Sequence, residues 1–250
     1  MMKVDIIGDI HGCYEELTEL FYTLNYQYKK EVFVHPNGRI PIFLGDITDR
    51  GPYSIKTIEL VYTMVVKHRI AKYVPGNHCN KLYRYFLGNN VNINHGLETT
   101  VAEFVALSTR KQKLIKKQFM ELYEQAPLYL HIPEVNVVVA HAGIKQTYIG
   151  KVNKKVKTFV LYGDITGEVD QYGRPIRLDW AQAYHGDTWI VYGHTPVLEP
   201  RIVNKTINID TGCVFGNALT AFSMPEEKIT SVPSKQPFVE NRFNHEFVVK

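Results

Sequence analysis

The sequence is short of cysteine, of long apolar runs and of charge of one sign, and each shortage excludes a class of protein. Its 250 residues contain three cysteines, Cys13, Cys79 and Cys213. That odd, small number cannot make a disulfide framework and points to a reducing compartment, by default the cytoplasm. Apolar stretches last only a handful of residues, far below the ~20 needed to span a bilayer. Asp5 and Asp9 interrupt the one apolar run in MMKVDIIGDIHG, so the start reads poorly as a secretory segment. Lys+Arg 29 against Asp+Glu 25 leaves +4, too mild an excess for wrapping nucleic acid and no obstacle to an anionic substrate. No repeat, low-complexity tract or Ser/Gly-rich linker divides the chain. The expectation is a single domain over 1–250.

What is present is a series of short apolar runs, many rich in Val and Ile: VDII (4–7), IPIFL (40–44), KYV (72–74), VNVVVA (135–140), WIVY (189–192), INI (207–209) and ALTAF (218–222). Each has strand length and ends in a turn-forming residue. Ile55, Ile58, Val61, Tyr62 and Val65 have helical spacing over 53–68, and 80–87 reads as a second, short helix. Thr100 and Glu103 form a capping-box pattern before Val101, Phe104 and Val105. Ile115, Phe119, Leu122 and Tyr123 then repeat on a helix that must stop before Pro127. These two helices interrupt a strand-rich pattern and read as a small helical cap, about 88–127, packed on the main body. Early strand–helix alternation followed by successive strands predicts mixed α/β layers.

The strand ends carry the chemistry. VDII runs into Gly8-Asp9-Ile10-His11-Gly12, and IPIFL into Gly45-Asp46-Ile47-Thr48-Asp49-Arg50-Gly51. KYV runs into Pro75-Gly76-Asn77-His78, VNVVVA into His141-Ala142-Gly143, and WIVY into Gly193-His194-Thr195. Ligands collect beyond the carboxyl ends of strands in helix-flanked sheets, and imidazole with carboxylate is a transition-metal donor set. Taken singly, each signal is weak. Asp46 and Asp49 also suit a turn or the cap of the helix near Tyr53, and Arg50 an ion pair with one of them. Jointly they supply three acids, four histidines and an asparagine in a fixed order. No loop has C-x-x-C spacing, so a structural thiolate zinc site is not expected.

That order resembles the calcineurin-like metallophosphoesterases, in their phosphoprotein-phosphatase branch: GDIHG (8–12), GDITDRG (45–51), GNH (76–78), HAG (141–143) and GH (193–194) match its five motifs. GNHCNKLYRY (76–85), LYGDITGE (161–168), GRPIRLDWAQAY (173–184) and the stretch 191–221 further resemble the PrpE-type bis(5'-nucleosyl)-tetraphosphatases. Parts are also similar to the phosphatase module of bacterial polynucleotide kinase–phosphatases. The resemblance implies a four-layer α/β (α+β) fold, a central β-sandwich flanked by helices. It also implies two divalent transition metals (Mn²⁺, Ni²⁺, Co²⁺ or Fe²⁺) that polarise phosphoryl oxygens and activate water.

Carried over motif by motif, Asp9, His11 and Asp46 would hold one metal, and Asp46, Asn77, His141 and His194 the other. His78 would protonate the leaving oxygen, oriented by Asp49. Arg50 would bind phosphate through its planar fork; Arg84 and Arg177 are further candidate phosphate ligands by position, with surface or cap ion pairs as the alternative. The position after the histidine in the branch's GNHE is Cys79 here, which weighs against a phosphoprotein substrate. Cys79 and Cys213 read as packed small hydrophobes, with redox sensitivity of Cys79 as the alternative. Asp210 reads as a strand-end turn residue, with contact to the second metal's shell as the alternative. Tyr83, Tyr85, Phe86, Trp180 and Tyr184 read mainly as core, with nucleobase stacking as the alternative. Lys145, Lys151, Lys154, Lys155 and Lys157 read as a solvated face able to steer an anion. The expected activity is asymmetric hydrolysis of dinucleoside tetraphosphates such as Ap4A to ATP and AMP. Symmetric cleavage to two ADP, a phosphomonoesterase acting on RNA 2',3' ends or phosphoprotein, and a non-catalytic nucleotide-binding scaffold are the alternatives. The expected partner is a small dinucleoside polyphosphate, with neither nucleic acid nor membrane; no oligomeric state is legible.

Overall fold

Val137, Val138 and Val139 are all fully buried, which for three successive strand residues requires cover on both faces of the sheet. Such runs recur, and they stack two five-stranded sheets between helices. The computed structural model describes residues 2–169 and 175–244. The chain runs through β1 (Val4–Ile7), α1 (Tyr14–Thr23), the hairpin β2 (Gln27–Lys29) and β3 (Val32–Val34), β4 (Ile40–Phe43), α2 (Ser54–Tyr62) and β5 (Lys72–Tyr73). There follow α3 (Asn77–Phe86), α4 (Leu97–Val105), α5 (Thr109–Gln125), β6 (Leu130–Ile132), β7 (Val137–Val139) and α6 (Lys154–Tyr162). The hairpin β8 (Ile165–Val169) and β9 (Pro175–Arg177) leads to β10 (Trp189–Tyr192), β11 (Arg201–Val203), β12 (Thr206–Asn208), β13 (Ala218–Met224) and β14 (Lys228–Pro233).

The first sheet has the order β14-β13-β1-β4-β5, the second β11-β12-β10-β7-β6. Side chains alternate across each strand. Val4, Ile6, Ile42 and Leu44 meet Val137, Val139, Trp189, Val191 and Ile207 in the core between the sheets. Ile7, Phe43 and Tyr73 point the other way, into a cluster with Leu17 and Phe21 of α1, Ile58 and Val61 of α2 and Leu82 of α3. Val138, Ile190 and Tyr192 pack against Val156 and Phe159 of α6 and against Trp180 and Tyr184. Helices, sheet, sheet and helix make four layers of mixed α/β architecture, as the resemblance implied.

Leu97, Ile115, Phe119 and Leu122 of α4 and α5 belong to the same core as α1 and α2. The α5 apolar stripe is the one the spacing predicts, and the helix ends at Gln125. The capping box is not realised. Gly96, in the left-handed conformation, precedes α4, so Thr100 and Glu103 lie inside the helix. Their side chains are used elsewhere, because better partners lie across the tertiary contact.

The described part of the segment after Met224, up to Asn244, is tied to the body. β14 pairs with β13, and the chain then crosses beneath the strand-end loops. Ser234 N donates to Asn217 O (2.8 Å), Val239 N to Phe215 O (3.0 Å) and Asn244 N to Pro196 O (2.8 Å).

Away from the strand-end loops, Asp5 is buried on β1. It accepts two bonds from Arg39 Nε (3.0 and 2.8 Å) and one from Tyr26 Oη (2.8 Å). The Arg39 guanidinium also forks onto Glu226 (2.9 and 3.0 Å).

Candidate active site

Two parallel trios of strands place the site. β1, β4 and β5 run parallel in one sheet, and β7, β10 and β12 in the other. Six carboxyl ends therefore open on one edge of the sandwich, where they deliver Asp9, Asp46, Asn77, His141, His194 and Asp210. Backbone bonds lock neighbouring loops together: His11 N to Asp46 O (2.7 Å), Gly12 N to Ile47 O (3.0 Å) and Gly193 N to His141 O (2.8 Å). The two sheets are joined directly by His141 Nδ1, which donates to Leu44 O (3.1 Å).

Asp46 is the centre. Its Oδ1 accepts from His78 N (2.9 Å) at the first turn of α3, where the helix dipole favours a negative charge. Its Oδ2 lies 3.3 Å from His141 Nε2 and 3.8 Å from His11 Nε2. The backbone bends sharply to aim these groups: His11, Asp46, Asp49, Arg50 and His194 all have positive φ (47°, 26°, 75°, 70° and 73°). Residues other than glycine hold that conformation only where the surroundings over-determine it, typically at functional sites. Close approach makes glycine necessary at two neighbours. A Cβ on Gly76 would lie 2.0 Å from Asp46 Oδ1, and one on Gly193 would lie 2.2 Å from Asp9 Oδ1.

The histidines are held so that lone pairs converge. His11 Nδ1 bonds Thr48 O (2.8 Å) and His141 Nδ1 bonds Leu44 O, so in both rings the backbone takes the Nδ1 proton and Nε2 faces inward. His141 Nε2 is 3.1 Å from both Asn77 Oδ1 and His194 Nδ1. His194 Nε2 is buried without a hydrogen-bond partner. Two compact groups result, His11–Asp46–His78 and Asp46–His141–His194, sharing Asp46. Asp9 joins through the His194 backbone N–H (3.3 Å to Oδ2) and lies 3.9 Å from His141 Nδ1.

The charge balance suits cations. Burial, reinforced by Asp210 and Asp46, pushes the Asp9 carboxyl well above its ordinary range. Burial likewise raises Asp210 to about 6. Burial and the charges of Arg50 and His78 drive His11 well down, and burial with Arg177 does the same to His194. Burial opposes charge on His141 too, yet Asp46 and Asp9 overcome it and raise the imidazole to about 9. Crowded carboxylates with two imidazoles held neutral, and a third whose proton the same carboxylates retain, are a donor set that a divalent cation would complete by displacing that proton. Oxygen and imidazole donors, held by backbone carbonyls behind them, fit transition-metal ions.

Beside this cluster, His78 Nδ1 is 2.7 Å from Asp49 Oδ2, and both residues are buried. Asp49 does not cap α2. That role falls to Glu103, which accepts from Ser54 N (2.7 Å) and Ile55 N (3.1 Å). Arg50 makes no ion pair with Asp46 or Asp49; its Nη1 is 2.7 Å from His11 Nε2, and its guanidinium lies 5.4 Å from the Phe215 ring centroid. Arg177 stands on the far side, its Nε donating to Tyr162 O (2.8 Å), close enough to depress His194. Arg84 is exposed on α3 and its charge is felt by Tyr162.

Asp210 is defined more closely by the structure than by the sequence. Asp210 makes its turn, accepting from Gly212 N (3.1 Å), but it also faces Asp9 and Arg50 across the site. Cys213 packs beside Cys13 and Glu16, and Cys79 is fully buried, so the thiols are interior groups. Phe86, Trp180 and Tyr184 are core. Lys145 pairs with Asp164 (2.8 Å), while Lys151, Lys154, Lys155 and Lys157 are exposed.

Comparison with known proteins agrees with this architecture. The family model "Calcineurin-like phosphoesterase" matches residues 2–198, and the chain belongs to that family, whose members use divalent metal ions. A protein of Oceanobacillus iheyensis named bis(5'-nucleosyl)-tetraphosphatase PrpE [asymmetrical] is 64% identical, covering 97% of this chain and 96% of the relative. A protein of the same name from Halalkalibacterium halodurans is 58% identical, covering 98% and 99%. The solved structure of a candidate diadenosine tetraphosphatase is 25% identical with a TM-score of 0.65, covering 93% of this chain and 94% of that one. No helix among the described residues is long and apolar enough to cross a membrane.

Proposed function

We propose that this chain is a metal-dependent hydrolase of dinucleoside tetraphosphates, Ap4A among them, cutting asymmetrically to ATP and AMP. The observation that carries the chemistry is the convergence of six strand ends on Asp46 with the His78–Asp49 pair alongside. The substrate class rests on the printed names of relatives 58–64% identical over nearly the whole chain.

With Asp9, His11 and Asp46 holding one divalent cation and Asp46, Asn77, His141 and His194 a second, the metals would supply Lewis acidity to the phosphoryl oxygens and an activated water at neutral pH. Manganese, nickel, cobalt and iron(II) all accept this donor set, and availability selects among them. His78 protonates the leaving phosphate oxygen from Nε2, its ring oriented by the bond from Nδ1 to Asp49. Arg50 turns its fork from His11 to non-bridging oxygens, a bidentate match of charge and plane. Arg177, and more peripherally Arg84, meet the polyphosphate from the opposite side.

The test is to incubate the Mn²⁺-loaded protein with Ap4A and separate the products by anion exchange, with Asp46→Asn as control. ATP plus AMP, absent in the control, is the expected result. Two ADP would keep the site chemistry and overturn the asymmetry. Turnover of p-nitrophenyl phosphate alone would overturn the substrate class.

A further inference from the structure

Asp49 is fully buried, and α4 supplies a donor that keeps its carboxylate satisfied. Its Oδ2 takes the bond from His78 Nδ1, and its Oδ1 accepts from Thr100 Oγ1 at 2.7 Å. Its backbone N–H is 3.0 Å from both Thr100 Oγ1 and Ser54 Oγ, and the two hydroxyls are themselves 3.0 Å apart. Thr100 and Ser54 are both fully buried.

A hydroxyl has one proton and two lone pairs. The shorter, charge-assisted bond to Asp49 takes the Thr100 proton, while the Ser54 hydroxyl has the Glu103 carboxylate as its charged acceptor; the two hydroxyl oxygens together receive the Asp49 N–H. Asp49 is therefore held at both oxygens, by Thr100 on Oδ1 and by His78 on Oδ2. One turn further along α4, Glu103 accepts the Ser54 and Ile55 N–H groups and fixes the start of α2. Residues three apart share a helix face, so α4 grips the Asp49 loop and the start of α2 together. Asp49 sits at φ 75°, a conformation that needs such support.

We propose that Thr100 is a positioning residue for the His78–Asp49 pair, so that α4 takes part in proton delivery to the leaving group. The proposal rests on His78 being the proton donor. Without the Thr100 hydroxyl, Asp49 Oδ1 is buried and lacks its donor, the carboxylate turns, and His78 loses its orientation. Supporting groups of this kind are worth about 10–100-fold where they orient a functional imidazole.

The test compares Thr100→Val, which keeps shape and loses the hydroxyl, with Thr100→Ser, which keeps the hydroxyl, and with His78→Ala. Two readouts are taken: kcat and KM on Ap4A, and the downfield proton resonance of His78 Nδ1–H, assigned by its loss in His78→Ala. We expect Thr100→Val to lower kcat about tenfold or more with KM little changed, and to shift the resonance upfield. Thr100→Ser should restore both. A wild-type resonance and kcat in Thr100→Val would overturn the proposal, as would equal losses in the Val and Ser variants, which would mark a packing role. Should Thr100→Val fail to fold, Thr100→Ala removes the same hydroxyl from a smaller side chain; an unshifted resonance there overturns the proposal equally. A His78→Ala enzyme with near-normal kcat would refute the proton-donor reading itself, a result distinct from any Thr100 outcome.

Discussion

The two sheets contribute unequal halves to the site. The loops of the first sheet carry Asp9, His11, Asp46, Asp49, Arg50, Asn77 and His78, and four of the five strained site residues lie among them. They are braced from behind by α1, α2, α3 and α4 through one continuous core. The second sheet contributes His141, His194 and Asp210, and a single helix, α6, backs it. In the reading proposed here, proton donation and phosphate grip need angular precision, and those groups sit on the braced half. The second half mainly presents ligand lone pairs, for which distance matters more than direction.

Substitutions can break or sharpen this contrast. Asp46 belongs to both halves, so Asp46→Asn should cost the most: more than about 100-fold in product formation, with the circular dichroism spectrum intact. On the braced side, Phe119→Ala in α5 removes a fully buried ring and should cost about 3–5 kcal/mol in urea unfolding. Val156→Ala on α6 should cost less, nearer 1–2 kcal/mol by the methylenes lost; a reversed ranking would refute the idea that bracing is unequal.

Arg39→Ala is a control outside both halves. It strands Asp5, buried with two bonds from the Arg39 guanidinium, and should lower stability by about 3–5 kcal/mol while leaving kcat on Ap4A unchanged. The smallest effect belongs to Glu226. Burial slightly opposes its charge, but hydrogen bonds from Lys3 and Arg39 hold it down at about 2. A depressed carboxylate stabilises the fold above its unfolded value and loses that contribution as pH falls through the folded one. Glu226→Gln should therefore remove a few tenths of a kcal/mol at pH 7, and the difference from wild type should vanish on acid titration towards pH 2.

The helix ends show why part of the site was legible in the chain and part was not. GDIHG, GDITDRG, GNH, HAG and GH are local: each couples a strand end to a glycine that permits a sharp turn, so motif and geometry are the same few residues. Thr100 and Glu103 also looked like a local device, a capping box, and that reading failed. Each side chain found a partner about fifty residues away, Thr100 on Asp49 and Glu103 on Ser54, because burying α4 against α2 brought unpaired donors within reach. Asp210 illustrates the same limit. As a turn residue it is readable; that its carboxylate faces Asp9 and Arg50 is decided only when β12 lies parallel to β10 in the sandwich.

By itself the sequence determined the seven principal strands, the order of the metal-type motifs and hence the family, because period, turn chemistry and short-range spacing are properties of neighbouring residues. Only the tertiary structure decided which groups meet. The shared position of Asp46, the tautomers set by the Thr48 and Leu44 carbonyls, and the Thr100–Asp49 bond all depend on contacts between distant segments. Those contacts follow from packing two twisted sheets and their helices until buried polar groups are paired, a condition no local stretch of chain can meet alone.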